Sequence, residues 1–402
     1  MREFKLKNNI HACVKVNKNT PRVALTLNLS LTEPEKYAGQ YLLINRLLLK
    51  GTKTYNAVEL ASILEENAIS LYTEMKYDFL RFRFVALNED FNLALNILSD
   101  IILNSTFEDF EREKVKLKGE MLAELDSAKV KVSDLFTKTI YKNHFYGNSY
   151  TKILEEIDNA TFDDIKAQYK NILLDSFKTL VLVGDIDTSN IEEILNSHFS
   201  ELPLCVEKTS NISIPSIDKQ ELVEIIKEDA QQAQIIQGWL VPTIGEDDCV
   251  VIMLLNVLLG ACGLSSRLFR ELREKKGLAY TVRSSYELKK KSAIFDIYIG
   301  TAPTNIKTSL EGFNEEINKI KTELISDEEL NNAKNNLIGK QQIITETNSQ
   351  QANLMSYYSV MGFSYNYNNE LIEKIKNVTA EDIRICANKI FSENYIVSII
   401  RP

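Results

Sequence analysis

A chain of 402 residues is too long for one hydrophobic core and is expected to divide into two or three domains. Its 44% hydrophobic content is enough to fill such cores, and a net charge of −9 with scattered Lys and Arg argues against a nucleic-acid surface, which concentrates basic charge. No window approaches the roughly 20 apolar residues of a membrane span, so no membrane partner is expected.

In chain order, residues 1–7 are polar and strand-like and carry no apolar run of the signal-peptide kind. The five cysteines are far apart and form no C-x-x-C pair, which suits free thiols in a reducing compartment; a cytoplasmic location is therefore expected. An alternating strand is predicted over residues 23–29. A largely apolar helix carrying Leu42, Asn45 and Arg46 follows, and then alternating strands near residues 72–85, one of which could be a sheet edge. A charged helix spans residues 107–125. A second helix, opened by Thr161 and acidic residues, leads into a β-rich run at residues 179–183. Residues 185–203 read as a turn and a short helix, and residues 208–216 are poor in large apolar side chains and rich in turn formers, as in a linker.

The second half repeats this order. Residues 154–165 and 372–383 agree at six of twelve positions with a constant shift of 218, and the helix at residues 107–125 matches one at 325–342 with the same shift. A duplicated domain of about 200 residues accounts for several matches at one offset. The expected organisation is an N-terminal domain over 1–205, a linker over 206–217 and a C-terminal domain over 218–402. Strands lead into helices without a regular βαβ alternation, so the expected class is α+β: two homologous domains, each an antiparallel sheet covered by helices. The run Lys289, Lys290, Lys291 reads as a solvated turn between strands.

The wording of several segments, Lys50-Gly51-Thr52, Ser265-Ser266-Arg267-Leu268-Phe269 and Arg273 through Tyr280, resembles the insulinase/pitrilysin-type zinc peptidases, in particular the branch of mitochondrial processing peptidase and its bacterial relatives. The resemblance covers nearly the whole chain and implies two metallohydrolase-like α/β-roll domains. In that family an inverted motif, H-x-x-E-H, lies on the first apolar helix before a Lys-Gly-Thr phrase: two His one turn apart bind Zn²⁺ and the Glu is the general base. Here those positions hold Leu42, Asn45 and Arg46. The family's further ligand, a downstream Glu, aligns with Glu120 or, less well, Glu124; taken by itself, Glu120 reads rather as an exposed salt-bridging residue of a charged helix. Leu has no lone pair to give and Arg repels a cation, so no metal is expected in this chain.

The resemblance also implies a role for Arg273 and Tyr280, whose family counterparts hold the scissile peptide and donate to its carbonyl. Taken by themselves, Arg273 could be an exposed helix charge and Tyr280 a half-buried strand aromatic. Gly260, Gly263 and Gly277 could allow tight turns near a substrate, or Gly277 could cap a helix. Loss of the zinc motif with retention of the Arg/Tyr pair implies the non-zinc subunit of a heterodimer, with zinc in a partner bearing H-x-x-E-H and a peptide as substrate; a homodimer stays open. The alternative is a non-enzymatic scaffold or peptide-binding relative. An unrelated metal site at His144 or His198 would need a ligand spacing the sequence lacks.

Overall fold

The computed structural model describes residues 1–206 and 211–402. Residues 207–210, part of the expected linker, lie outside the described residues. The chain forms two compact units, each drawn from three stretches. The first gathers Met1–Gly119, Ile153–Ile212 and Gln342–Asn368; the second gathers Glu120–Lys152, Ser213–Gln341 and Asn369–Pro402.

The sheet of the first unit comprises β1 (Arg2–Lys5), β2 (His11–Val16), β3 (Arg22–Ser30), β4 (Ser70–Met75), β5 (Phe79–Leu87) and β6 (Phe177–Gly184), in the order β1-β2-β6-β3-β5-β4. The sheet of the second comprises β7 (Glu221–Ile226), β8 (Ala233–Val241), β9 (Ala279–Leu288), β10 (Ala293–Thr301) and β11 (Ile396–Arg401), in the order β7-β11-β8-β10-β9. With β1 set aside, the two orders are the same. Each sheet is antiparallel except where its last strand inserts in parallel beside its first, β6 against β2 and β11 against β7. A parallel neighbour needs a long crossover, and the helices between β5 and β6, or between β10 and β11, supply it. The central strand β3 is buried along all but its first residue, so Val23, Leu25, Leu27 and Leu29 sit in the core.

The helices repeat as well. In the first half α1 (Gln40–Leu47) and α2 (Ala57–Glu66) precede β4. Helices α3 (Phe91–Asn104), α4 (Phe110–Leu125), α5 (Ala128–Ile140), α6 (Tyr150–Glu156) and α7 (Phe162–Asp175) fill the crossover to β6, and α8 (Ile191–Phe199) follows it. In the second half α9 (Cys249–Asn256) precedes β9, and α10 (Ile306–Thr322), α11 (Asp327–Ile343), α12 (Asn348–Val360), α13 (Tyr367–Asn377) and α14 (Ala380–Ile390) fill the crossover to β11. The duplicated motif lies at the starts of α7 and α14. In each, the cap Thr accepts from the backbone N–H of the Asp three residues on, at 3.1 Å, and that Asp side chain reaches back to the Thr N–H, closing a capping box.

One pair of helices is exchanged between the halves. Helix α12, from the second half of the sequence, lies on β3 and β6 of the first unit; α5, from the first half, lies on β8 and β11 of the second. Their contacts differ in kind. Val132, Phe136 and Ile140 form a buried apolar row along α5, one helical turn apart. Helix α12 packs Ala352 and Met355 on Cys13, Ala24, Val181 and Val183, but it is also hydrogen-bonded to the sheet. Asn348 Nδ2 donates to the Arg22 carbonyl at 3.0 Å, Thr26 Oγ1 donates to Asn353 Oδ1 at 3.3 Å, and Asn28 Nδ2 donates to Ser356 Oγ.

None of the five cysteines forms a disulfide, and four of them are buried. No described helix is long and apolar enough to cross a membrane. Residues 289–291 do lie between β9 and β10, but Lys289 is buried rather than solvated, with its ammonium 5.0 Å from the centre of the Tyr141 ring.

Candidate functional site

The segment between α9 and β9 widens into π-helix twice. Residues Val257–Ala261 and Phe269–Lys275 wind as π-helix, a rare form that inserts one extra residue per turn and recurs at functional sites. The first of these turns presses against the sheet edge. A Cβ on Gly260 would lie 2.1 Å from the backbone N of Ser284 on β9, so only Gly allows the approach. Ser284 Oγ in turn donates to Asn256 Oδ1 at 2.6 Å, tying the same helix to the same strand. The second π turn ends at Gly277, whose φ of +63° suits a residue without Cβ, and Leu278 N–H donates back to the Leu272 carbonyl at 2.9 Å.

This turn brings Arg273 and Tyr280 together. Strand β9 is the outer strand of its sheet, bonded among the described residues only to β10. Across it Thr281 faces Gly300 and Ala279 faces Thr301, which leaves Tyr280 as the extra residue of a β-bulge. A bulge at a sheet edge re-aims a side chain. The Tyr280 ring is 78% exposed, and the Arg273 guanidinium carbon lies 4.6 Å from its centre. The same carbon is 4.6 Å from the centre of the Phe269 ring, which is buried.

The neighbouring cations are all paired. Arg267 binds Glu329 through two hydrogen bonds of 2.8 and 2.7 Å and holds its carboxyl below the ordinary value, and Arg270 stands 3.7 Å from the same carboxylate. Lys275 pairs with Glu271 and Lys276 with Glu315, each at 2.6 Å. Arg273, by contrast, makes no side-chain hydrogen bond or ion pair among the described residues; the two rings are its partners. Its N–H donors are therefore available beside an exposed phenol. A cleft of about 310 Å³ opens nearby, lined in part by Cys262, Arg270, Asn332 and Asn336, but neither Arg273 nor Tyr280 lines it.

The other expected locus lies in the first unit. Helix α1 begins at Gly39, where the Glu35 carboxylate accepts from the N–H groups of Gly39 and Tyr41 at 3.1 and 2.7 Å, an anion at the positive end of the helix. Leu42, Asn45 and Arg46 are all half-buried along it. Arg46 lies 3.7 Å from Glu113 of α4, and Lys50 and Lys116 each approach the same carboxylate to 3.0 Å. Glu113 is 3% exposed. Burial alone would push its carboxyl up, but hydrogen bonds from Lys50 and Lys116 outweigh it and hold the group below the usual carboxylate range. Asn45 accepts from Thr73 Oγ1 of β4 at 3.3 Å through its backbone carbonyl, while its own Oδ1 is buried without a hydrogen bond. Glu120 and Glu124 are exposed.

Zinc of the H-x-x-E-H kind does not fit these residues. The two His positions hold an alkyl chain and a guanidinium, and the nearby buried carboxylate is already ringed by Arg46, Lys50 and Lys116. The edge strand expected within residues 72–85 is β4, while β5 lies inside the sheet. Tyr72 on β4 is 51% exposed beneath the Arg83 guanidinium, 5.1 Å away. Both His144 nitrogens are engaged: Nδ1 accepts from Tyr146 N–H and Nε2 meets the Ser213 carbonyl, each at 3.0 Å. His198 meets the Ile194 carbonyl and Asn96 Oδ1 at 2.8 and 3.0 Å.

Two residues of these loci were not singled out from sequence. Glu113 was hidden in a run of alternating charges; its signal was the pair of cations Arg46 and Lys50 at the end of a mostly apolar helix and just past it. Phe269 stands four residues before Arg273, the spacing of side chains that share a helix face.

Residues 14–156 match the family described as Insulinase (Peptidase family M16), and residues 159–337 match the one described as Peptidase M16 inactive domain. An "Uncharacterized zinc protease" of Rickettsia felis is 28% identical over 368 residues, 89% of this chain and 86% of its own length. Another of that name from Bacillus subtilis is 25% identical over 363 residues, 89% of this chain and 87% of its own. Among solved structures, a protease from Helicobacter pylori superposes with a TM-score of 0.90 at 22% identity, over 100% of this chain and 99% of that one. A peptidase M16 inactive domain from Pseudomonas fluorescens gives 0.89 at 19% identity, over 100% and 97%. At such identities the structural likeness speaks for the fold.

Proposed function

From the premise that the chain belongs to the insulinase (M16) peptidase family, we propose that it is the non-zinc subunit of a two-chain peptidase. It lends Arg273 and Tyr280 to a site whose metal and general base come from a family partner bearing H-x-x-E-H. The observation that carries this reading is the Arg273 guanidinium, without an ion pair among the described residues, against the exposed Tyr280 ring, in a segment where every other Arg and Lys is paired. As water attacks the scissile carbonyl of a peptide, negative charge grows on its oxygen. The Arg273 N–H groups and the Tyr280 hydroxyl are then donors to that oxygen, stronger toward the developing anion than toward the neutral carbonyl. The rebuilt locus at Leu42, Asn45 and Arg46 supports the division of labour, since this chain offers no metal ligands there.

Co-expression with an H-x-x-E-H relative from the same organism tests the proposal. A stable complex is expected, with peptidase activity that is lost on chelation and strongly lowered on changing Arg273 to Ala. Chelator-sensitive cleavage by this chain alone would refute it. A complex whose rate is indifferent to both Arg273→Ala and Tyr280→Phe would favour a scaffold or peptide-binding role instead.

A further inference from the structure

A guanidinium on a long, flexible stem loses rotamer freedom when it is held in one place, so an arginine that serves a site needs something to hold it. For Arg267 that something is Glu329, through two hydrogen bonds. Arg273 has no such anchor among the described residues, yet its guanidinium carbon sits 4.6 Å from two ring centres. One ring, Tyr280, is exposed and has a donor role of its own under the proposed function; the other, Phe269, is buried and has no polar atom. An aromatic face attracts a cation without using any of its N–H donors, whereas a carboxylate in that place would occupy them.

We infer that Phe269 is the positioning residue for Arg273. Its ring fixes the guanidinium beside Tyr280 while leaving the donor edge open to a substrate oxygen. The π-helical turn places the ring, because Phe269 opens it and Arg273 follows within it. The backbone of the same turn is set by its neighbours: Leu272 is fully buried, and Gly312 of α10 gives it room, since a Cβ there would lie 3.2 Å from Leu272 Cγ. Phe269 therefore acts through Arg273 and touches no substrate. The inference rests on the proposed role of Arg273 for its catalytic consequence, but not for the placement itself.

The test has two arms. In the first, the purified chain carries arginine labelled with ¹⁵N, and side-chain relaxation of the Arg273 Nε–H is compared in the wild type, Phe269→Leu and Phe269→Tyr. Leu stays apolar, though smaller, and removes the π face; Tyr keeps the ring. The Arg273 signal should become mobile in Phe269→Leu and stay ordered in Phe269→Tyr. Equal order in all three overturns the inference. In the second arm, kcat/KM is measured in the reconstituted complex. Phe269→Leu should lower it about fivefold, the scale of one partly desolvated cation–π contact, Phe269→Tyr should restore it, and Phe269→Leu should cost nothing further in an Arg273→Ala background. A loss of equal size in that background would mean a general structural role and would also overturn the inference. If Arg273→Ala itself leaves the rate unchanged, the functional reading fails, and the relaxation arm still decides whether Phe269 places Arg273.

Discussion

The α1–α4 locus of the first unit and the Phe269–Tyr280 segment of the second both gather cations, and they treat them in opposite ways. In the first, Arg46, Lys50 and Lys116 surround one buried carboxylate, Glu113, and their charge is spent on it. In the second, Arg273 is held by rings and keeps its donors. Two acids, one buried and one half-buried, differ in the same sense. Lys50 and Lys116 hold the Glu113 carboxyl below its ordinary range against the effect of burial. Asp296, on β10 beside the edge strand, is pushed up by burial to about 6, although it accepts from Ser285 Oγ and has Arg283 and Lys289 at longer range. A locus whose charges are mutually satisfied is built for stability, and one that leaves a positioned donor unsatisfied is available for a ligand.

The contrast can be broken most directly by activity. In the reconstituted complex, Arg273→Ala should lower kcat/KM by about 100-fold, the scale of one lost oxyanion donor, and Arg46→Ala should leave it within about threefold. Steady-state kinetics on one peptide substrate decides, and equal losses would erase the distinction. Next in size is Gly260→Ala. The new Cβ would meet Ser284 N at 2.1 Å, so the π turn or the edge strand must shift, at a cost of about 2–3 kcal/mol in urea unfolding. An unchanged midpoint would mean that the turn is not pinned to β9.

Smaller effects sharpen the comparison through pH. Glu113→Gln should cost about 1 kcal/mol at pH 7 by leaving three cations without their acid, with little effect on the activity of the complex. Because the folded Glu113 value is depressed, its contribution is present above the unfolded carboxylate value and is lost as pH falls through the folded one. The wild-type and Glu113→Gln stability curves should therefore converge in acid. Asp296 has the opposite sign. Its value is raised, so the stability linked to it is full below the unfolded carboxylate value and is lost as pH rises through about 6. Asp296→Asn should flatten thermal stability across that window and raise it by about 1 kcal/mol at pH 8. A wild-type curve that climbs from pH 4 to pH 6 while the Asp296→Asn curve stays flat would contradict this assignment.

Much of the fold was legible because its signals are local. The Thr161 and Thr379 caps, the alternating strands and the shared offset each depend on neighbouring residues, and the capping boxes form where those residues predict them. The loss of H-x-x-E-H was legible for the same reason, since ligand chemistry is a property of Leu42, Asn45 and Arg46 themselves. Lys289 shows the limit: in a run of three lysines nothing local distinguishes the one that turns inward onto Tyr141.

The sequence by itself therefore determined the duplication, the main strands and capped helices that repeat in each half, and the side chains at the rebuilt zinc motif, because periodicity, capping and side-chain type are written within a few residues of one another. Only the tertiary structure decided which charges find each other and which do not. The Arg46–Glu113 contact, the bulge that turns Tyr280 toward Arg273, and the exchange of α5 and α12 all join residues on separate elements. Such contacts follow from how whole faces are buried, and no local pattern of side chains specifies that.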